Sequence, residues 1–549
     1  MSKPGSSSPI RIAAGAALIG LTAAAVRAAG LAAKPFWIAE VQEFVRAYRD
    51  HIGANLDYAA GDFLGFLYHQ ACHALGLAPT PAVVRLPSMV AGFVLPVALF
   101  LGPALTGRFA AGLASGLLAA LSLPLVCMSQ EGRFYSGLTL FLAVGWLLVL
   151  FSNSSGSRKA LVVTDTLAVL IHPYALAWIG LRTAVGWLLS RAGLSPHPEH
   201  PPGRGTRTAH VLLLSCAAAA QVLGVLWVHG RFRDLHSYFL LQPYPPLPSL
   251  LSDLVAHAGA GSLAAAAVAA ALVAAGAACL VEDRPDRAVQ LSSWAFAGPL
   301  VVTTAIWLGS GRYTFVHVMP AAPALYLLAG QALAWLLDLP VSRSVRTAAF
   351  AAALVACLVP LGLLLARYED RPTRLEMGAD VRAACEFVAR HALPGDAVAL
   401  RYDKYFSVVA FYCADLPPGV RVVVPELPAS EFVRNFVHLG ARPGERLLAA
   451  DRVTTIDAWT AGRSPRSRLL AIVPHYEAIE GRFSEFVGWY TVPDPFGPAD
   501  PDAYREQPDF DAVRLPLLTV YRLKAHSSLD GSALSARVKT LLTGRRPFM

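Results

Sequence analysis

Apolar and polar residues alternate in long blocks along the first two thirds of the chain. The stretch from Arg85 to Tyr135 holds two apolar runs of roughly twenty residues, and the short turn Thr106-Gly107-Arg108 separates them. Each run is long enough to cross a lipid bilayer as an α-helix. The pattern predicts a helical hairpin whose far ends, at Arg85 and at 129–135, lie on the same side of a membrane.

Comparable runs recur as far as residue 366, and we predict about eleven transmembrane helices. The first run is too long for the apolar core of a cleavable signal peptide and indicates an anchor. The pair around His172-Pro173 fits two arrangements, either two short helices that meet outside or one long broken helix. The predicted spans are 10–33, 85–104, 109–128, 136–152, 160–172, 174–190, 210–229, 260–280, 290–308, 315–337 and 345–366.

Composition supports a multi-pass membrane protein. The chain has 549 residues, 55% of them hydrophobic, and a mean hydropathy of +0.48, which is too apolar for a soluble globular protein. Its net charge of +9 would suit a nucleic-acid partner. We exclude that reading because many basic residues fall in short loops between the apolar runs. With Met1 inside, every inside loop holds Arg or Lys, as expected for a plasma-membrane protein.

The first outside segment and the C-terminal region differ from the spans. Residues 34–84 form a long outside loop, in which 63–77 predicts one or two amphipathic helices in the membrane interface. From about residue 367, charge rises and long apolar runs end. Residues 1–366 therefore form the membrane domain, and 367–549 a soluble α/β domain that the topology places outside.

Within the C-terminal domain the pattern predicts a helix, a turn and short buried elements. The helix covers 377–392, and Pro394-Gly395-Asp396 forms the turn. Cys385 and Cys413 could pair if this region is extracytoplasmic. No CxxC and no nucleotide-binding, metalloprotease or hydrolase motif occurs. The buried elements and strand candidates are 397–400, 408–411, 420–424, 469–473 and 518–523.

Candidate chemistry gathers at the far ends of the hairpin. RLPS begins at Arg85, and SQEGRFY contains Glu131, Arg133 and Tyr135. Charge near lipid is costly unless it is paired or used, so these side chains indicate a site at the membrane boundary. Each also has a structural explanation. Glu131 and Arg133 could form a salt bridge, Arg85 could be a snorkelling anchor, and Tyr135 could belong to the aromatic belt.

RLPS and SQEGRFY resemble motifs of the membrane glycosyltransferases of the GT-C fold. The nearest group is related to protein O-mannosyltransferases and lipid A aminoarabinose transferases. An acidic residue after the first span (Glu40), a histidine in a short turn (His172) and an RY pair before a late span (Arg312-Tyr313) follow the same order. The resemblance covers about residues 10–412.

The resemblance implies transfer of a sugar from a polyprenyl-phosphate-linked donor to an extracytoplasmic glycan, lipid or protein. Such chemistry needs a carboxylate as base and cations for the departing phosphate. We predict no cofactor, and a divalent metal stays open because no cluster of residues has metal-ligand spacing. The implied catalytic carboxylates are Glu40, Asp57 and Asp62. The implied substrate-binding residues are Arg85, Glu131, Arg133, Tyr135, His172, Arg312 and Tyr313.

Two departures from the family pattern keep other functions open. Ala39 stands where the family usually has the catalytic Asp, and Gly61 and Asp62 replace two prolines. Glu40 could serve as base instead, or the chain could be a non-catalytic protein that binds lipid-linked substrates. A secondary transporter is a further alternative, but the sequence shows no internal repeat and its candidate charges gather at one face.

Overall fold

The computed structural model of the protein describes helices between residues 8 and 369 and a sheet with its neighbouring helices between residues 374 and 543. Predictions that fall on 32–62, 220–262, 305–317 and 401–410 lie outside the described residues. The described residues are 8–29, 31, 63–133, 135–152, 154–194, 208, 210–219, 263–302, 304, 318–369, 374–400, 411–413, 416–427, 452–463, 467–474, 509–514, 518–524 and 529–543.

Helices make up the described part of the membrane domain, and most match predicted spans to within a few residues. A five-residue π-helix, Ser293–Ala297, continues α11, and a 3₁₀ turn, Met319–Ala321, leads into α12. The helices are α1 Pro9–Ala28, α2 Phe63–Ala74, α3 Pro81–Leu105, α4 Phe109–Ala120, α5 Leu123–Ser129, α6 Tyr135–Phe151, α7 Ser155–Ile171, α8 Ala175–Arg191, α9 His210–Ala219, α10 Leu263–Asp283, α11 Pro285–Ser292, α12 Ala322–Trp335 and α13 Arg343–Glu369.

Several of these helices are long and apolar enough to cross a membrane, as a membrane protein requires. Within the described residues, four helical segments meet that requirement alone, and the bent pair α4–α5 would make a fifth. The predicted total of about eleven spans stays a prediction. The four segments are Pro9–Ala28, Pro81–Leu105, Met319–Asp338 and Arg343–Leu363.

The prediction of one continuous helix over 109–128 is wrong, because the structure has two helices, α4 and α5, in this range. The two helices are bent by 59° at the break. Pro124 lies at the start of α5 and has no N–H to donate to the Ala120 carbonyl, which weakens the helix at this point and favours a break. The hairpin with α3 is kept, and Gly107 makes its turn with a φ of 85°.

The ambiguous pair around His172 consists of two short helices. The α7 helix ends at Ile171 and α8 begins at Ala175. Asp165 of α7 and Arg182 of α8 are joined by a 2.5 Å ion pair, so the two helices lie side by side rather than end to end.

Close helix packing forms the core of the membrane domain. A Cβ on Gly276 of α10 would stand 1.9 Å from the Leu328 carbonyl oxygen of α12, so only glycine permits this approach. Trp146 of α6 stacks on Trp294 with ring centroids 5.3 Å apart, and both side chains are fully buried.

The C-terminal region contains a six-stranded mixed sheet in the order β3-β2-β1-β4-β6-β5. The first four strands in this order run parallel, and β6 and β5 are antiparallel to their neighbours. One face packs on α15 and α16. The elements are α14 Arg374–His391, β1 Ala397–Leu400, β2 Arg421–Val424, β3 Val453–Thr455, α15 Ile456–Ala461, β4 Leu469–Pro474, β5 Phe510–Arg514, β6 Leu518–Leu523 and α16 Gly531–Thr543.

The predicted turn before β1 is present and ties two strands together. Gly395 has a φ of 92°, which favours glycine. The buried Asp396 carboxylate accepts hydrogen bonds from the backbone N–H of Arg468 at 2.8 Å and from its guanidinium at 2.7 Å. Cys385 and Cys413 form a disulfide, the pairing that the sequence left open.

Candidate functional site

A buried arginine of α1 donates hydrogen bonds to the backbone carbonyls at the break between α4 and α5. Arg27 is fully buried, and its Nη1 donates to the Ala120 carbonyl at 2.9 Å and to the Ala23 carbonyl at 3.3 Å. Its Nη2 donates to the Ala119 carbonyl at 3.4 Å. The break leaves carbonyls at the end of α4 without helical partners, and an unpaired carbonyl would be costly inside a membrane.

The end of α5 is tied to the end of α1. The side-chain amide of Gln130 donates to the carbonyls of Val26, Arg27 and Ala29 at 3.3, 3.2 and 3.0 Å. These are among the last carbonyls of α1, which have no partner within the helix. The SQEGRFY motif therefore begins directly against the point where the chain leaves α1.

The RLPS motif of α3 reaches the same place. Arg85 is fully buried, and its Nη1 donates to the Leu31 carbonyl at 2.8 Å. The Ser88 hydroxyl donates to the Arg133 carbonyl through a short hydrogen bond. The structure thus brings the two motifs together at the end of α1. We call Arg27, Arg85, Glu131, Arg133 and Tyr135 the α1 corner.

The α1 corner is rich in positive charge. Glu131 is 6% exposed and Tyr135 is 7% exposed. The guanidinium carbon of Arg133 lies 4.8 Å from the centre of the Tyr135 ring, a cation–π geometry that holds the guanidinium at the start of α6. Among the five residues of the corner, three are arginines and one is a carboxylate. An arrangement of this kind can bind an anion such as a phosphate.

His172 lies at the boundary of α7 and α8. It is the C-cap of α7, and its Nδ1 accepts a hydrogen bond from the Tyr174 backbone N–H at 3.2 Å. The two rings are 4.0 Å apart. His172 thus occupies the C-cap position of α7 and is held there by its contact with Tyr174.

Several predicted site residues lie outside the described residues. These are the carboxylates Glu40, Asp57 and Asp62 and the pair Arg312 and Tyr313. Their proximity to the α1 corner stays a prediction. Within the part of the chain that the structure describes, no three His, Cys, Asp or Glu side chains lie close enough together to hold a metal ion.

Sequence reasoning missed a second buried charge cluster. Asp165 is fully buried and bonded to Arg182, and the His210 Nε2 lies 3.0 Å from an Asp165 carboxylate oxygen. The signal was available, because Asp165 and Arg182 each interrupt an apolar run near its middle. Gln130 and Arg27 were also missed. Arg27 was hidden inside the predicted span 10–33.

Comparison with known proteins gives a structural match without a sequence match. No family model matches the chain, and no curated protein matches it significantly. The fold is similar to the crystal structure of ArnT from Cupriavidus metallidurans bound to undecaprenyl phosphate, with a TM-score of 0.51. It is also similar to the apo structure of that protein, with a TM-score of 0.52.

Both matches extend over almost the whole of each protein. At 13% sequence identity, each covers 93% of this chain and 98% of the other chain. ArnT is a lipid A aminoarabinose transferase of the GT-C fold, the group that the RLPS and SQEGRFY motifs indicated. The chain therefore has the GT-C fold of membrane glycosyltransferases, in the form seen in ArnT.

Proposed function

We propose that the protein is an integral membrane glycosyltransferase of the inner membrane. It moves a sugar from a polyprenyl-phosphate-linked donor to an acceptor on the extracytoplasmic side. The observation that carries the proposal is the α1 corner, a group of three arginines, two of them fully buried, near the meeting point of α1, α3 and α5. The fold is similar to that of a protein crystallised with undecaprenyl phosphate.

Arg85 and Arg133 are the proposed ligands of the donor phosphate. The Leu31 carbonyl fixes the orientation of Arg85, and the Tyr135 ring does the same for Arg133. Both side chains therefore lose little further rotational freedom on binding, which favours affinity. Arg312 is the proposed third cation, by its place in the motif order.

The proposed reaction is a single displacement at the anomeric carbon. The acceptor hydroxyl oxygen attacks this carbon, and the bond from the carbon to the phosphate oxygen breaks. Polyprenyl phosphate leaves with the electron pair, and the hydroxyl proton passes to a carboxylate. The configuration at the anomeric carbon is inverted. Arginines stabilise the charge that develops on the leaving phosphate.

Glu40 is the proposed base, with Asp57 or Asp62 as helpers. Gln130 and Arg85 bind the carbonyls of Ala29 and Leu31, so the chain that leads to Glu40 departs from the α1 corner. A base must lie within hydrogen-bond reach of the acceptor hydroxyl.

The remaining motif residues have proposed roles in positioning. Glu131 orients the sugar hydroxyls, and Tyr135, Tyr313 and His172 contact donor or acceptor. Buried carboxylates that accept hydrogen bonds from hydroxyls give a polar site its specificity.

The C-terminal domain is proposed to lie outside the cytoplasm and to help select the acceptor. Its Cys385–Cys413 disulfide supports this side of the membrane, because structural disulfides persist in oxidising compartments. The charge distribution of the loops supports the same orientation.

A non-catalytic protein that binds lipid-linked substrates is the second candidate, and Ala39 is the residue that favours it. Photocrosslinking of the purified protein with a polyprenyl-phosphate probe tests the part that both candidates share. We expect labelling that is lost in Arg85→Ala and Arg133→Ala and retained in Arg343→Ala, an exposed arginine at the opposite end of the helices by predicted topology. Labelling that is no stronger than that of an unrelated membrane protein would contradict a lipid-phosphate ligand.

A further inference from the structure

A second group of arginines lies at the other end of the helices, around a small, open cleft. Arg108 follows the α3 turn, Arg287 lies in the first turn of α11, and Gln331 belongs to α12. By the predicted topology these elements meet on the cytoplasmic side. The cleft is therefore separate from the α1 corner, and it does not depend on the proposed sugar transfer.

The polar wall of the cleft is held in place by contacts on the protein. Arg108 Nη1 donates to the Gln331 side-chain oxygen at 2.9 Å. The guanidinium carbon of Arg287 lies 5.0 Å from the centre of the Phe151 ring. Both guanidinium groups are half-buried. These contacts fix both guanidinium groups at the cleft, so neither side chain extends fully into solvent.

Positive charges are the main charged neighbours of Arg287, which lies in the first turn of α11 and outside the predicted spans. Burial lowers the pKa of Arg287 to about 10, and the nearby Arg108 and Arg284 act in the same direction. The Asp286 carboxylate opposes this lowering but has the smallest effect of these charged neighbours. A bound anion would relieve the repulsion between the arginines.

The other wall of the cleft is apolar. Side chains from α6, α10 and α12 contribute, including Phe151, Leu280 and Leu327. A free inorganic anion uses only the cationic wall, whereas a phospholipid uses both. Its phosphate pairs with arginine, and the start of its acyl chains contacts apolar side chains.

We propose that this cleft binds the phosphate headgroup of an anionic phospholipid of the cytoplasmic leaflet. Arg108 and Arg287 contact the phosphate, and Gln331 positions Arg108. Basic pockets between transmembrane helices on the cytoplasmic side are a known way of recognising anionic headgroups.

Native mass spectrometry of the purified full-length protein with added phosphatidylglycerol tests this proposal. We expect one retained lipid in the wild type, with affinity about tenfold lower in Arg287→Gln and in Arg108→Gln, equivalent to about 1.4 kcal/mol. Arg287→Lys keeps the charge and is expected to restore most of the binding. Arg343→Gln is the matched control, since Arg343 is exposed, lies on the same side by the predicted topology and does not line the cleft.

Three outcomes would overturn the proposal. The first is equal retention by wild type and all variants, and the second is equal retention of phosphatidylcholine by the wild type. The third is saturable binding of inorganic phosphate that displaces the lipid, which would make the cleft a site for a free anion. The comparison of lipids uses the wild type alone, so a variant that misfolds does not prevent a decision.

Discussion

Replacing one member of the buried Asp165–Arg182 pair is expected to destabilise the membrane domain strongly. Asp165 is fully buried, Arg182 is 5% exposed, and their charged atoms are 2.5 Å apart. In the Asp165→Asn variant the amide keeps the size of the side chain but leaves the guanidinium without its counter-charge.

Two independent scales give the magnitude of this effect. Removing one partner of a buried ion pair costs about 3–5 kcal/mol. An unpaired arginine at the centre of a membrane helix costs about 2.5–3.5 kcal/mol on the insertion scale. We therefore expect Asp165→Asn to lower the free energy of unfolding by about 3 kcal/mol. That loss is a large fraction of the free energy of unfolding of a folded domain, which is typically about 5–15 kcal/mol.

The expected losses are graded across the cluster. His210 is 25% exposed and contributes one hydrogen bond to Asp165, so His210→Ala should cost about 1 kcal/mol. The double variant Asp165→Leu with Arg182→Met removes both charges together. It should be within about 1 kcal/mol of the wild type, because apolar replacement of a whole buried pair is often neutral or stabilising.

Equilibrium unfolding of the purified protein by SDS in mixed micelles measures these differences. The double-mutant cycle should give a coupling energy of at least about 2 kcal/mol. The reasoning would be refuted if Asp165→Leu alone or Arg182→Met alone cost less than about 1 kcal/mol. It would also be refuted if the cost of the double variant equalled the sum of the two single costs, since the pair would then be solvated rather than buried.

Three further predictions concern the α1 corner and the C-terminal domain. In Gly92→Ala the new Cβ would stand 2.3 Å from a side-chain carbon of α5, so thermal unfolding should show that the free energy of unfolding falls by about 1–3 kcal/mol. Gly180→Ala is the control and should change it very little, because nothing lies within 4 Å of a Cβ at that position. Replacing Cys385 and Cys413 by serine should cost about 2–4 kcal/mol of domain stability, measured by hydrogen exchange in the full-length protein, and an unchanged exchange rate would contradict a structural disulfide. Hydrogen bonds from a lysine and a serine of α16 hold the pKa of Asp457 below its usual value. A carboxylate whose pKa is lower in the folded state stabilises the fold above its unfolded-state pKa, and this stabilisation is lost as the pH falls. Hydrogen exchange in α15 and α16 should therefore rise below about pH 4 in the wild type and rise less in Asp457→Asn.

Apolar run length predicted much of the helical framework. The helices α3, α6, α8 and α13 have nearly the predicted bounds, and α3 and α13 are also long and apolar enough to cross a membrane. Short continuous apolar runs also predicted a buried element at 397–400 and a strand at 420–424, and the structure has the parallel strands β1 and β2 there.

Features that depend on partners distant in sequence could not be predicted in the same way. By sequence, Pro124 is compatible with an unbroken span. The break depends on Arg27, which is distant in sequence and binds the carbonyls at that point. The three-residue strand β3, VTT, is too short to give a pattern and exists because β2 pairs with it. Within the candidate site, the order of the motifs predicted that Arg85 and Arg133 lie near each other. The anchoring role of Gln130 could not be predicted, because it depends on three backbone carbonyls at the end of α1.

The central claim is that the protein transfers a sugar, and turnover in proteoliposomes tests it most directly. The measurement follows release of polyprenyl phosphate from a panel of polyprenyl-phosphate-linked sugars in the presence of cell-envelope extract. We predict release by the wild type with at least one sugar and at least about a hundredfold less by Glu40→Gln, the loss expected for a missing general base. Photocrosslinking should be unchanged in that variant. Crosslinking without release by the wild type, for every sugar, would contradict the claim and favour the non-catalytic binding protein.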